Sequence, residues 1–277
     1  MTKVKDAERN AYREDGVTVL RGLFTPEWLE RLREGVDENL KNPGPMSSSY
    51  TDDGKAGRYF GDYCNWDRIA AFRDIFYDSG LAEAAAQLMG SERAYIFHEH
   101  VLIKEPGTQE YTPWHQDQPY YVATGEQTVS VWIPLDPVPA DVCPHFLRGS
   151  HKDGQLYRPR FFKDGADYGY DYSDGTYIPV PDIDNDTSAA ARMISWDLEP
   201  GDALAFHFRT LHNAPRNEQA RRRRAVSFRM FGDDARYAER PGLPSPPYPE
   251  MGLKLSDGDR LPEDWFPRIW PREQRTA

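Results

Sequence analysis

The chain has 277 residues, 39% of them hydrophobic, and 45 acidic against 34 basic side chains give it a net charge of −11. That length and apolar share allow a packed core, while the acidic balance argues against the counterion release on which nonspecific nucleic-acid binding depends. Cys64 and Cys143 have no CxxC spacing, and no run approaches the roughly 18 apolar residues of a membrane span.

The first sixteen residues are too polar for a secretion signal, so a soluble cytoplasmic protein without a membrane partner is expected. "GVTVLRGLF" (16–24) reads as a short strand. "TPEWLERLREGVDENL" (25–40) reads as a helix, with Thr25 placed to cap it, Pro26 at its first position and an apolar stripe through Trp28, Leu29, Leu32, Val36 and Leu40. "SGLAEAAAQLMG" (79–90) predicts a second helix, capped by Ser79 and stopped by Gly90. After residue 92 the pattern changes to β-type runs at 93–103, 128–135, 202–208 and 224–231, with Gly, Pro and Asp turns and no long helix between them. The expected fold is an all-β core, an antiparallel sandwich or barrel, with flanking helices on one face. Residues 152–190, rich in Asp, Gly and Tyr, are long for a plain connection and read as a lid-like insertion or a mobile one. The Pro-rich tail from 241 ends in "DWFPRIWP", whose aromatics predict docking on the body.

Chemistry concentrates in "YTPWHQDQPYY" (111–121). His115 and Asp117, two residues apart, can turn an imidazole nitrogen and a carboxylate oxygen toward one point, although such a pair alone is more often structural. "EPGDALAFHFRTLHNAPRN" (199–217) supplies His212, 97 residues after His115, at the end of another predicted strand. Two histidines and one carboxylate leave half of an octahedral iron's positions open, as oxygen activation requires. "RRRRAVSFRMF" (221–231) then places Arg223, Ala225, Ser227 and Arg229 on one face and Arg224, Val226, Phe228 and Met230 on the other. An inward arginine needs a buried anion, which a dicarboxylate cosubstrate would provide.

With these segments assembled, nearly the whole chain resembles the phytanoyl-CoA dioxygenase-like branch of the iron(II)/2-oxoglutarate oxygenases. "YREDGVTVLRGLFTPEWLERLR" is similar to that family's N-terminal strand and helix, "WHQDQPYY" to its H-x-D segment, "VSVWIPLD" to the strand that follows, "LRGSHK" to its "PGSHK" turn, and "PGDALAFHFRTLHNAPRN" to its distal-histidine strand. The resemblance implies a double-stranded β-helix, a jelly-roll of the cupin type, forming a single oxygenase domain over 1–277 whose helical part occupies about 1–92. It implies iron(II) on His115, Asp117 and His212, with 2-oxoglutarate and O2 as cosubstrates. The family's cosubstrate arginine stands eleven residues after the distal histidine, which is Arg223 here, and Trp132 matches a position lining that pocket. Asp117 argues against halogenation, because halogenating relatives carry a small residue there. The implied reaction is hydroxylation of a C–H bond of a small-molecule metabolite with release of succinate and carbon dioxide; desaturation and cyclisation share the same ligands.

The chain departs from the family where "NGxLxxxPGSH" becomes "ADVCPHFLRGSH", with Arg148 for the proline. It departs again at Ala214, where some relatives carry a hydroxyl residue facing the cosubstrate; Ser227 is the expected replacement. Candidate substrate contacts are Tyr111, Tyr120, Tyr121, His98, His100 and Arg229, the last able instead to pair with an Asp of the same domain. His98 and His100 are expected to share a strand face with Ile96 and Leu102. His207 reads as structural, His145 and His151 as surface residues, and Cys143 as core. A non-catalytic, metal-binding cupin-like binder or sensor is the rival reading. It would need a fourth, closing ligand, and it gives Arg223 no role. Oligomeric state is left open.

Overall fold

The computed structural model describes residues 4–52, 54, 56–162 and 165–272. Its first helix, α1 (Asp6–Asp15), ends at Gly16. Gly16 has φ +78°, and a Cβ there would lie 2.4 Å from His151 Nδ1 and 2.5 Å from Thr210 Oγ1, so only glycine turns the chain into β1 (Val17–Leu20). The helix α2 (Pro26–Lys41) buries Leu29, Leu32 and Val36 as its stripe predicts. Thr25 holds the cap position without making the capping bond; its hydroxyl serves the Glu27 carboxylate instead.

β2 (Tyr59–Tyr63) is followed by α3 (Ala70–Asp78) and α4 (Leu81–Met89). Here one expectation is corrected. The residue capping α4 is Gly80, and Ser79 closes α3, its hydroxyl bonding Ile75 O, while still accepting a 3.3 Å bond from Leu81 N. Gly90 stops α4 in the left-handed conformation, as its position predicts.

The β elements follow: β3 (Ala94–Lys104), β4 (Thr112–His115), β5 (Thr128–Pro134), β6 (His145–Leu147), β7 (Met193–Ile194), β8 (Ala203–Phe206), β9 (His212–Ala214), β10 (Arg223–Phe231) and β11 (Arg268–Trp270). The larger sheet runs β1–β8–β5–β10–β3–β2, with Ser48–Ser49 on its edge and β11 added to β3; the smaller runs β7–β6–β9–β4. Every pairing in both sheets is antiparallel. This is the jelly-roll expected, without a closed barrel.

Strand alternation divides the larger sheet into two faces. Val101, Ile103, Val131, Val226 and Phe228 meet the helices, where Phe76 stands edge-on to Phe228 at 4.8 Å. Each such side chain contributes about 1.5–3 kcal/mol on burial. The opposite face carries His98, His100, Trp132, Arg223, Ser227 and Arg229, and so forms the floor of the site. Ile96 is a correction. The β3–β10 register slips between Arg229 and Met230, and this bulge returns Ile96 to the helix face, away from His98 and His100.

The tail docks as expected: β11 pairs with Ala94–Tyr95, and Tyr248 and Phe266 pack on Phe97. In the 152–190 segment, Asp167, Asp171 and Asp174 each accept a backbone N–H two residues on, which explains why Asp-rich sequence takes irregular structure here. Among the described residues, no helix is long and apolar enough to cross a membrane.

Candidate active site

β4 and β9 are neighbours in the small sheet and set His115 directly opposite His212. The chain leaves β4 into a turn of 3-10 helix, and Asp117, at φ −71° and ψ −42°, swings its carboxylate back toward the two rings. Asp117 Oδ1 lies 3.8 Å from His115 Nε2 and 3.9 Å from His212 Nε2. No other described His, Cys, Asp or Glu joins this group, whose ligand atoms lie within 4.8 Å of one another.

The tautomers are fixed by the backbone. His115 Nδ1 donates to Pro113 O at 2.8 Å and His212 Nδ1 to Thr210 O at 2.9 Å. A carbonyl can only accept, so each Nε2 keeps its lone pair for a metal. Burial pushes His115 down to about 3, with His212 adding to the effect, and burial lowers His212 as well. Asp117 is held at about 2: burial would raise it, but Arg229, the two histidines and Ser130 outweigh that. Ser130 Oγ donates to Asp117 Oδ2 at 2.7 Å and Arg229 Nε lies 3.5 Å from the same oxygen, leaving Oδ1 toward the histidines.

A narrow cleft leads from this group to Arg223 along Thr112, Trp132, Ala214 and Ser227. Arg223 is buried, bonds Val142 O, and has no carboxylate partner among the described residues. Ser227 Oγ is buried without a partner, and Ser227 pairs across the sheet with Trp132. Thr112, opposite Ala214 in the register, also brings a hydroxyl to this cleft, 3.1 Å from Tyr59 OH. The reading of the sequence missed Thr112 and Lys104. Lys104 ends β3 beside Arg223 and donates to Glu110 O, Ala214 O and Pro215 O at 3.0, 3.3 and 2.9 Å. Its place as the last inward residue of a strand was the available signal.

On the other side of Asp117 opens a larger cavity of about 350 Å³. Tyr120, Tyr121, His98, His100 and Arg229 line it, together with Phe161, Phe162 and Tyr168 from the 152–190 segment. Tyr111 is a correction: it is 44% exposed and turns outward, because Thr112 takes the inward phase of β4. His151 is another, since it is buried and bonds Arg13 O at 3.2 Å. His207 bonds Glu126 O at 3.0 Å, away from the triad, and His145 reaches Ala140 O at 3.3 Å.

The donor set fits iron(II), and a buried guanidinium at the far end of the same cleft fits the distal carboxylate of 2-oxoglutarate. The Phytanoyl-CoA dioxygenase (PhyH) family profile matches residues 12–225. The chain belongs to this family. It is therefore an iron- and 2-oxoglutarate-dependent oxygenase acting on small molecules. A phytanoyl-CoA dioxygenase of Arabidopsis thaliana is 23% identical over 80% of this chain and 72% of its own. A methylphosphonate hydroxylase of Gimesia maris is 26% identical over 81% of this chain and 80% of its own. Among solved structures, the epimerase SnoN in complex with Fe3+, α-ketoglutarate and nogalamycin RO superimposes with a TM-score of 0.73 at 20% identity, over 95% of this chain and 98% of that one, a likeness of fold.

Proposed function

We propose that His115, Asp117 and His212 hold the iron, that Arg223 takes the distal carboxylate of 2-oxoglutarate beside Trp132 and Ser227, and that the enzyme hydroxylates a C–H bond of a metabolite bound in the aromatic cavity. The observation that carries this reading is one continuous inner face with a convergent ligand set at one end and an unpaired buried guanidinium at the other. One oxygen atom of O2 enters the C–H bond; the other enters the carboxylate of succinate as 2-oxoglutarate loses carbon dioxide. Bound iron and cosubstrate supply that oxidation.

The chain's own residues supply position and dryness. Pro113 O and Thr210 O hold the imidazoles in the ligating tautomer, and Ser130 orients Asp117. Phe162 packs 4.8 Å from the His115 ring and, with Phe161 and Tyr168, forms the outer wall that excludes water. We assign the 152–190 segment as the cover of a single oxygenase domain spanning 1–277, whose first 92 residues give the supporting helices. Its unpaired cysteines favour a reducing, cytoplasmic location. The test is succinate formation from 2-oxoglutarate. His115→Ala and Asp117→Ala are expected to abolish it, and activity retained in either would make the ligand assignment wrong.

A further inference from the structure

The cavity beyond Asp117 carries polarity that the reaction just described does not use. Its floor is a patch of adjacent residues on β3 and β10: Arg229 pairs with His98, and Ser227 with His100. Arg229 is 6% exposed. A guanidinium has five N–H donors, and here the hydrogen-bonding contacts at its nitrogens are loose: Nε 3.5 Å from Asp117 Oδ2 and Nη1 3.4 Å from Ser227 O. Tyr121 lies beside it, its ring centre 5.7 Å away and its hydroxyl in hydrogen-bonding contact with the guanidinium, which leaves further N–H donors unused. His98 Nδ1 and His100 Nε2 are buried without any hydrogen-bond partner.

Charge points the same way. Asp117 is the only acid lining this cavity and Arg229 the only cation among the described residues. In the loaded site the two charges of iron(II) balance those of 2-oxoglutarate, and the single charge of Asp117, which lies against Arg229, offsets only one of the two buried guanidiniums, Arg223 and Arg229. Lys104, outside this cavity, has Glu110 as its acid. One positive charge is left over, and Arg229 shares its only carboxylate among the described residues with the iron site, so an excess buried charge is there to be met.

Resting on the proposed function, we infer that the substrate carries an oxyanion, of the carboxylate or phosphonate type, that docks on Arg229 beside His98 and His100. Tyr50, Tyr63, Tyr120 and Phe161 then enclose a body of modest size. Because Arg229 lies 3.5 Å from a carboxylate oxygen of Asp117, the oxidised C–H bond lies only a few bonds from that anion. A coenzyme A ester fits poorly, since among the described residues no second cation lines the cavity to meet its phosphates.

The test titrates phenylacetate and phenylacetamide, alike in shape and different in charge, into the iron(II)/2-oxoglutarate protein without oxygen, by calorimetry. The acid is expected to bind at least about tenfold more tightly than the amide. Arg229→Gln is expected to bring the ratio to about one, and Arg229→Lys to keep part of it. Equal binding, no binding of the acid, or a preference intact in Arg229→Gln overturns the inference. Should Arg229→Gln not fold, the wild-type ratio and Arg229→Lys decide. The visible iron–cosubstrate band recorded on the same samples separates the two readings: loss of the band in wild type refutes the cosubstrate assignment, whereas a normal band without acid preference refutes only this inference.

Discussion

Arg223→Met is expected to move stability and cosubstrate binding in opposite directions. Arg223 is buried beside Lys104, without a carboxylate, and burial pushes its pKa down. Replacing such a charge with an apolar chain of similar length stabilises by about 1–4 kcal/mol. Losing the bond to Val142 O costs about 1 kcal/mol. The net gain is about 0–3 kcal/mol, and for a chain of this size each kcal/mol is worth roughly 2–4 °C in Tm. The same change leaves the cosubstrate's distal carboxylate unpaired in a dry cleft, at about 3–5 kcal/mol, or roughly two to three and a half orders of magnitude in affinity. The assay is thermal unfolding with manganese(II) replacing iron to prevent turnover, with and without 2-oxoglutarate. Saturation at a hundred times Kd adds about 2.7 kcal/mol to wild type. The variant is expected to start at or above the wild-type Tm and to show no shift at the same concentration. A variant that melts well below wild type, or that keeps the shift, would refute the reasoning.

Further outcomes follow from the same geometry. Ser130→Ala frees one oxygen of Asp117 and is expected to weaken manganese(II) binding by about 10- to 100-fold, measured by calorimetry, with little loss of fold. Phe76→Ala opens a void against Phe228 and is expected to cost about 3–5 kcal/mol in urea unfolding. His207 is held at about 3 in the fold, by burial first and Arg209 second, while the unfolded chain takes up a proton near 6.5. Its contribution is therefore present above that unfolded value and lost as pH falls, at about 1.4 kcal/mol per pH unit between roughly 6.5 and 3. His207→Gln is expected to flatten the stability–pH curve in that window, and an unchanged slope between pH 7 and 5 would show the assignment to be mistaken.

Much of this was legible in the sequence because strands alternate. The phase of "RRRRAVSFRMF" put Arg223 and Arg229 on one face and Arg224 on the other, and the resemblance chose the first as the inner one; Arg224 pairs with Asp136 at 2.8 Å on the opposite face. His115, Asp117 and His212 were legible through spacing and resemblance. What alternation cannot foresee is where it breaks. The bulge that returned Ile96 to the helix face inserts a residue without any glycine to announce it. Tyr111, four residues before His115, counts into the same phase, but the β4–β9 register slips between Thr112 and His115 and turns it outward. The hydroxyl of Thr112 facing Ala214, and the carbonyl cage around Lys104, depend on the register between strands far apart in sequence. The 152–190 segment follows local Asp turns, so its sequence marks it as irregular without saying which cavity it covers.

The most direct measurement is the visible spectrum of the apo protein given iron(II) and then 2-oxoglutarate without oxygen, with Arg223→Ala and His212→Ala alongside. Chelation of the cosubstrate to iron gives a weak charge-transfer band. The account predicts the band in wild type, its weakening in Arg223→Ala at limiting 2-oxoglutarate, and its loss in His212→Ala. Iron bound by wild type with no band on adding the cosubstrate would contradict it.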